Sequence, residues 1–184
     1  MILDPPSGLL SSEFQVRRVL EQAGADCARR LGVDRDTVFD LLLHGDRSVH
    51  SAFRYALAEG IAGHLGGLGA AFQGVYVYGS AAGESAGPAS DIDFIVVVDR
   101  RCAEAERIIR LLNLSLSHCY RSVTGFSGPT DLLDVHVVDL DEEHDRRGYG
   151  AVLHDPWTAP LCLWRAGTSA SRRDRMPQPL VSPR

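Results

Sequence analysis

The sequence predicts an α/β (α+β) domain: a small mixed β-sheet of about four strands with helices packed on it, preceded by further helices. Three observations carry this reading. The first sixty-odd residues repeat apolar side chains at helical spacing. Two strand-like runs then stand close together, Val75–Tyr78 and Phe94–Val98, the second unbroken as in a strand buried on both faces. A helical pattern from Ala103 to about His118 separates that run from a third strand at Asp131–Asp139, and a strand–helix–strand unit within one sheet implies a parallel pair. A length of 184 residues suits one domain with a good core and room for a helical appendage.

The expected divisions are a Pro/Ser/Gly leader at 1–11, a helical segment at 12–67 packed on the core, the core at 68–166 and a disordered tail at 167–184. Ser12 with Gln15 three residues later reads as a capping box, and Val16, Val19, Leu20, Ala23, Cys27 and Leu31 give the first helix an apolar stripe. A second helix starts from Asp34, carries Val38, Phe39 and Leu41–Leu43, and stops at Gly45. The third starts near Ser48, runs through Phe53, Leu57 and Ile61, and ends at Gly66-Gly67. It feeds the Val75 strand and should pack on the sheet, with the earlier two helices as a small cap or partner surface. Past the third strand, the acidic run Asp139–Asp145 suits a helix N-terminus. Ala151–Trp157 reads as a short strand or turn stopped by Pro156, and from Gly167 the chain turns to Ser, Arg and Pro with few apolar residues.

Composition narrows the function classes. A net charge of −5 argues against wholesale binding to nucleic acid, whose affinity comes mainly from basic residues displacing counterions. All nineteen basic residues are arginine, which excludes a Walker-type phosphate lysine and Schiff-base chemistry. Cys27, Cys102, Cys119 and Cys162 stand far apart, so neither zinc nor a disulfide framework is supported. There is no apolar run of membrane-spanning length, and Met1-Ile-Leu-Asp-Pro-Pro does not read as a secretory leader; a cytoplasmic protein without membrane contact is expected.

The chemistry concentrates in one stretch. The Val75–Tyr78 strand stops at Gly79-Ser80, and ten residues later Asp91-Ile-Asp93 opens the buried strand. By strand alternation Asp91 and Asp93 point to one face, about 7 Å apart along the chain, with Ile92 turned into the core. Such a pair can grip a hard cation such as Mg²⁺, which is usually held by one or two carboxylates together with substrate phosphate oxygens. Gly79 permits close approach of backbone N–H groups to phosphate, and Ser80 adds a hydroxyl donor. Across the predicted parallel pair Asp134 arrives beside Asp91 and Asp93. Asp131 falls in the preceding loop and Asp139 at the far end of its strand. His136 shares a face with Asp134 and flanks the same place.

Gly79-Ser80, the ten-residue spacer, Asp91-Ile-Asp93 with its apolar flanks and the later triplet Leu133-Asp134-Val135 resemble the signature of the polymerase-β-type nucleotidyltransferase superfamily, in particular its minimal members. The likeness spans Val75 to roughly Pro156. It implies Asp91, Asp93 and Asp134 as catalytic metal ligands holding two Mg²⁺ ions (Mn²⁺ as substitute), and Gly79 and Ser80 as nucleotide-binding residues. The implied reaction moves an NMP from an NTP, ATP being the expected one, to a hydroxyl acceptor on a protein side chain or small molecule. The implied alternatives are a non-catalytic partner protein, such as a toxin–antitoxin component acting through the N-terminal helices, and a nucleotide-binding sensor. Many minimal members carry a basic residue shortly after the Gly-Ser pair; Ala81-Ala-Gly-Glu84 has none.

Overall fold

A computed structural model describes residues 7–126, 129–158 and 160–167, with side chains from residue 15 onward. The predicted tail from residue 168 lies outside the described residues.

Three helices come first: α1 (Ser7–Leu31), α2 (Arg35–Leu43) and α3 (Arg47–Gly67). Asp34 caps α2 by accepting from the Thr37 N–H, and Asp46 caps α3 by accepting from the Val49 N–H. The start of α1 corrects the capping-box reading. Ser12 lies inside the helix, which begins at Ser7, directly after Pro5-Pro6. Leu9, Leu10 and Glu13 are good helix formers, so nothing halts the helix before the prolines.

The sheet is built from β1 (Phe72–Tyr78), β2 (Ile92–Val98), β3 (Leu133–Asp139) and β4 (Leu161–Arg165), in the order β3-β2-β1-β4. β1 runs antiparallel to β2 and β4, while β2 and β3 are parallel, so the sheet is mixed and four-stranded as the sequence predicts. The connection between the parallel strands is α5 (Ala103–Thr124), longer than its apolar pattern suggested; Gly125 ends it in a left-handed cap at φ 69°. α6 (Leu140–His144) begins with a full capping box between Asp139 and Glu142. A short turn of helix, α7 (Tyr149–Val152), follows.

Of the two forms expected after α6, the strand is not taken there. The stretch expected as a strand or turn at Ala151–Trp157 is the end of α7 followed by turns, and β4 comes later. Gly150 is pressed against the α6 backbone so closely that a Cβ there would collide with the Glu142 carbonyl, which holds this stretch in a compact turn. The open edge of β1 is paired by Leu161–Arg165 instead.

Register sorts the side chains into two faces. Val75, Val77, Ile92, Phe94, Val96 and Val98 enter the core with α1, α3 and α5. The stripe of α1 (Val16, Leu20, Ala23, Cys27) is buried there too, so the first helix is core rather than cap. Full burial of a Leu or Val side chain contributes roughly 1.5–3 kcal/mol, so this stripe is a substantial part of what holds the fold. The sheet's second face carries Tyr76, Tyr78, Asp93, Ile95, Asp134 and His136, and α6 and α7 cover part of it.

Candidate active site

β1 delivers the chain to a sharp corner at Gly79, whose φ of 66° opens the single helical turn α4 (Gly79–Ala82). This glycine is needed twice over: its backbone is left-handed, and a Cβ would collide with the Asp93 Oδ2. The corner therefore lets a carboxylate approach the backbone directly. The loop that follows is knit by Ser85 N–H donating to the Ser80 carbonyl at 2.9 Å and by Gly87 N–H donating to Ser90 Oγ at 2.9 Å. Glu84, at a positive φ of 52°, pairs with Arg30 from α1. This pair ties the loop to the first helix.

Ile92 is fully buried and its N–H donates to the Leu132 carbonyl at 2.9 Å, which fixes Asp91 and Asp93 on either side of it. Parallel pairing sets Asp93 opposite Asp134. Carboxylate oxygens of Asp91, Asp93 and Asp134 all lie within 4.8 Å of one another, as the topology argument required. Burial first, then the charges of Asp91 and Asp134, hold the Asp93 carboxyl above the ordinary carboxylate range. Three crowded carboxylates, two of them half-buried, form a donor set that can hold a hard divalent cation, which would relieve their mutual repulsion.

An aromatic group adjoins the acids. His136 Nε2 stands 3.6 Å from Asp134 Oδ2, and its ring stacks on Tyr149 at 3.5 Å between centroids and 11° between planes. Tyr78 lies across from His136, their ring centroids 6.4 Å apart. Burial, reinforced by Asp93, Tyr149 and Asp134, drives the Tyr78 phenol well above its usual range, so it stays protonated. Beside the acids a groove of about 560 Å³ runs along the outer edge of β3, lined by Arg101, Arg110 and Asn113 on one side and His136 and Tyr149 on the other.

Two features escaped the sequence reading. Tyr149 sits on a one-turn helix with no periodic signal. Arg54 is fully buried in α3, donating from Nε to the Ser90 carbonyl at 2.8 Å and from Nη2 to the Pro88 carbonyl at 2.9 Å. Its phase was visible, since Arg54 falls in step with His50, Leu57 and Ile61 on the buried stripe of the helix.

Residues 71–124 match the family model described as the nucleotidyltransferase domain. The match runs from the residue before β1 to the last residue of α5 and takes in Gly79, Ser80, Asp91 and Asp93; Asp134 lies beyond it. The four-stranded mixed sheet is compatible with the nucleotidyltransferase fold, and the match is consistent with a minimal nucleotidyltransferase of the polymerase-β type. No curated protein and no solved structure matches. Among the described residues no helix is long and apolar enough to cross a membrane.

Proposed function

We propose that the protein is a metal-dependent nucleotidyltransferase that moves an NMP from an NTP, ATP first among them, to a hydroxyl on a protein side chain or small molecule. The observation that carries this reading is the cluster of Asp91, Asp93 and Asp134 beside Gly79-Ser80, all but Asp134 lying in the stretch that matches the nucleotidyltransferase domain. Asp91, Asp93 and Asp134 would hold Mg²⁺ or Mn²⁺, which supplies positive charge to the triphosphate and to the oxygens whose charge grows in the transition state. Gly79 and Ser80 receive phosphate oxygens through backbone N–H and hydroxyl donors. The acceptor oxygen attacks the α-phosphorus, the bond from that phosphorus to the bridging oxygen breaks, and pyrophosphate leaves with the bond's electron pair. The acceptor's proton goes to Asp134, the most exposed of the three acids and the one beside His136. Tyr78, kept protonated, remains a donor at the edge of the site.

The test is transfer itself. Purified protein incubated with each α-labelled NTP, Mg²⁺ and either lysate or small-molecule hydroxyl acceptors should attach label covalently and release pyrophosphate. An absence of label with every nucleotide and acceptor, in protein that folds cooperatively, would overturn the reading. The alternative of a partner protein acting through the N-terminal helices gains nothing from α1, whose apolar stripe is spent in the core.

A further inference from the structure

Arg54 is 0% exposed, yet among the described residues no carboxylate forms a salt bridge with it. A guanidinium does not give up its proton inside proteins, so this position carries a buried charge held by neutral groups. The partners are specific. Nε and Nη2 take the carbonyls of Ser90 and Pro88, and Nη1 donates to His50 Nδ1 at 2.8 Å. Because arginine only donates, His50 Nδ1 is an acceptor; the His50 proton is therefore on Nε2, which donates to the Leu42 carbonyl at 2.9 Å. The Tyr120 hydroxyl reaches the same Nδ1 at 3.2 Å, and the Tyr120 ring lies 5.8 Å from the guanidinium carbon. His50, anchored by a backbone carbonyl of α2, and the ring of Tyr120 thus hold the arginine rigid.

The Ser90 carbonyl belongs to the peptide bond that joins Ser90 to Asp91, so the guanidinium grips the chain at the step before the first acid. The charges of Arg54 and Asp91 also attract each other. A residue serving only the core would be smaller in cost as leucine or methionine, since a buried charge contributes little net stability and is costly when poorly paired. Arg54 instead spends a planar two-pronged contact on two carbonyls of one loop.

We infer that Arg54 is the positioning residue of the acidic centre: it clamps residues 88–90 so that Asp91 enters β2 in register with Asp93 and Asp134. This rests on reading those three acids as a cation site, but the clamp itself is measurable without any cation.

The test uses the full chain with Mn²⁺ as probe, comparing wild type, Arg54→Lys and Tyr120→Phe. Arg54→Lys keeps a charge but offers one ammonium where a fork held two carbonyls; amide hydrogen exchange at residues 88–91 should quicken at least tenfold in the metal-free protein, and Mn²⁺ affinity by isothermal titration should fall at least tenfold. Tyr120→Phe removes only the hydroxyl behind the clamp, so it should lower the melting temperature while Mn²⁺ affinity stays within about twofold. Wild-type exchange and affinity in Arg54→Lys would overturn the inference, as would an equal loss of affinity in Tyr120→Phe. Should Arg54→Lys fail to fold, Arg54→Gln, which retains two N–H donors without the charge, is read by the same exchange and affinity criteria. Ser90→Ala, which loosens the loop by removing the hydroxyl that accepts from Gly87, should likewise weaken Mn²⁺ binding severalfold, and wild-type affinity there would count against the clamp. If wild-type protein binds no Mn²⁺, the cation-site reading fails on its own, while unchanged exchange at 88–91 in Arg54→Lys fails the clamp.

Discussion

The second face of the sheet carries charge at both ends. Near Tyr76, Arg165 meets Glu143 in a two-pronged ion pair, with Nη2 to Oε2 at 2.9 Å, and the same guanidinium donates to the Tyr76 hydroxyl at 2.7 Å. Near Tyr78, Asp91, Asp93 and Asp134 crowd within 4.8 Å, and no arginine among the described residues forms a salt bridge with any of them. The hydrogen bonds of the first end, led by Glu143, raise the Arg165 pKa; burial and like charge at the second raise that of Asp93. The contrast separates a charge kept for cohesion from charges kept apart from their counterions. At the paired end removal leaves a partner stranded, whereas at the crowded end removal relieves repulsion.

Substitutions sharpen that contrast, beginning with the largest expected effect. Asp93→Asn keeps shape and hydrogen-bonding atoms but removes charge; nucleotidyl transfer should fall at least about a hundredfold while the melting temperature stays level or rises. A falling melting temperature would place Asp93 with the structural charges. Gly79→Ala should cost about 1–2 kcal/mol from its left-handed backbone alone, and by pushing the Asp93 carboxylate away should weaken Mn²⁺ binding at least tenfold, measured by titration. Arg165→Met should leave Glu143, whose side chain is 13% exposed, without its partner. The cost is about 2 kcal/mol in chemical denaturation, less than for a fully buried pair because Arg165 itself is part-exposed. Transfer should stay within about twofold.

The smallest effect is a pH dependence. Burial first, then Arg54, lowers the His50 pKa below its ordinary 6.5, against weaker opposite contributions from the Leu42 carbonyl and Asp46. The unfolded chain therefore binds the proton first on acidification. The contribution of His50 to stability is full above pH 6.5 and declines as pH falls through the lower folded value, because a protonated Nδ1 would face the Arg54 guanidinium. The Arg165 guanidinium keeps its proton throughout that range. Amides at 88–91 should thus loosen on acidification before those around Arg165, as hydrogen exchange across pH 7 to 5 would report.

Much of the crowded end was legible in the sequence, and the paired end was not. Gly79-Ser80 and Asp91-Ile-Asp93 are local signals, each within one turn or strand, and period-2 alternation is enough to put both acids on one side of Ile92. Asp134 needed one further step, the parallel crossover, and the pairing of Asp93 with Asp134 bears that out. Arg165 and Glu143 meet only because β4 closes the sheet beside α6, a contact that no spacing encodes. The five residues of β4 carry too short an alternation to compete with the apolar Ala151-Val-Leu153 that drew the expectation upstream. Arg54 was hidden for a different reason. A lone arginine on a helix reads as solvated, and only its phase with Leu57 and Ile61 told against that. His136 was placed beside Asp134 by alternation, but Tyr149, which covers its ring, arrives from beyond a loop.

The parallel pairing of β2 with β3 also dictates when the acids meet. Antiparallel β1 and β2 follow each other in the chain, joined by Gly79–Asp91, and their pairing is local beside that of β2 with β3, so Gly79 and Asp93 can come together first. Asp134 waits until all of α5 has folded back across the sheet, since a parallel neighbour is reached only through a crossover and the chain entropy of closing it is spent before any contact repays it. A nascent chain that has just released α5 from the ribosome therefore carries two of the three acids and an incomplete centre. Assembly of the triad is a late event, coincident with the docking of the last parallel strand.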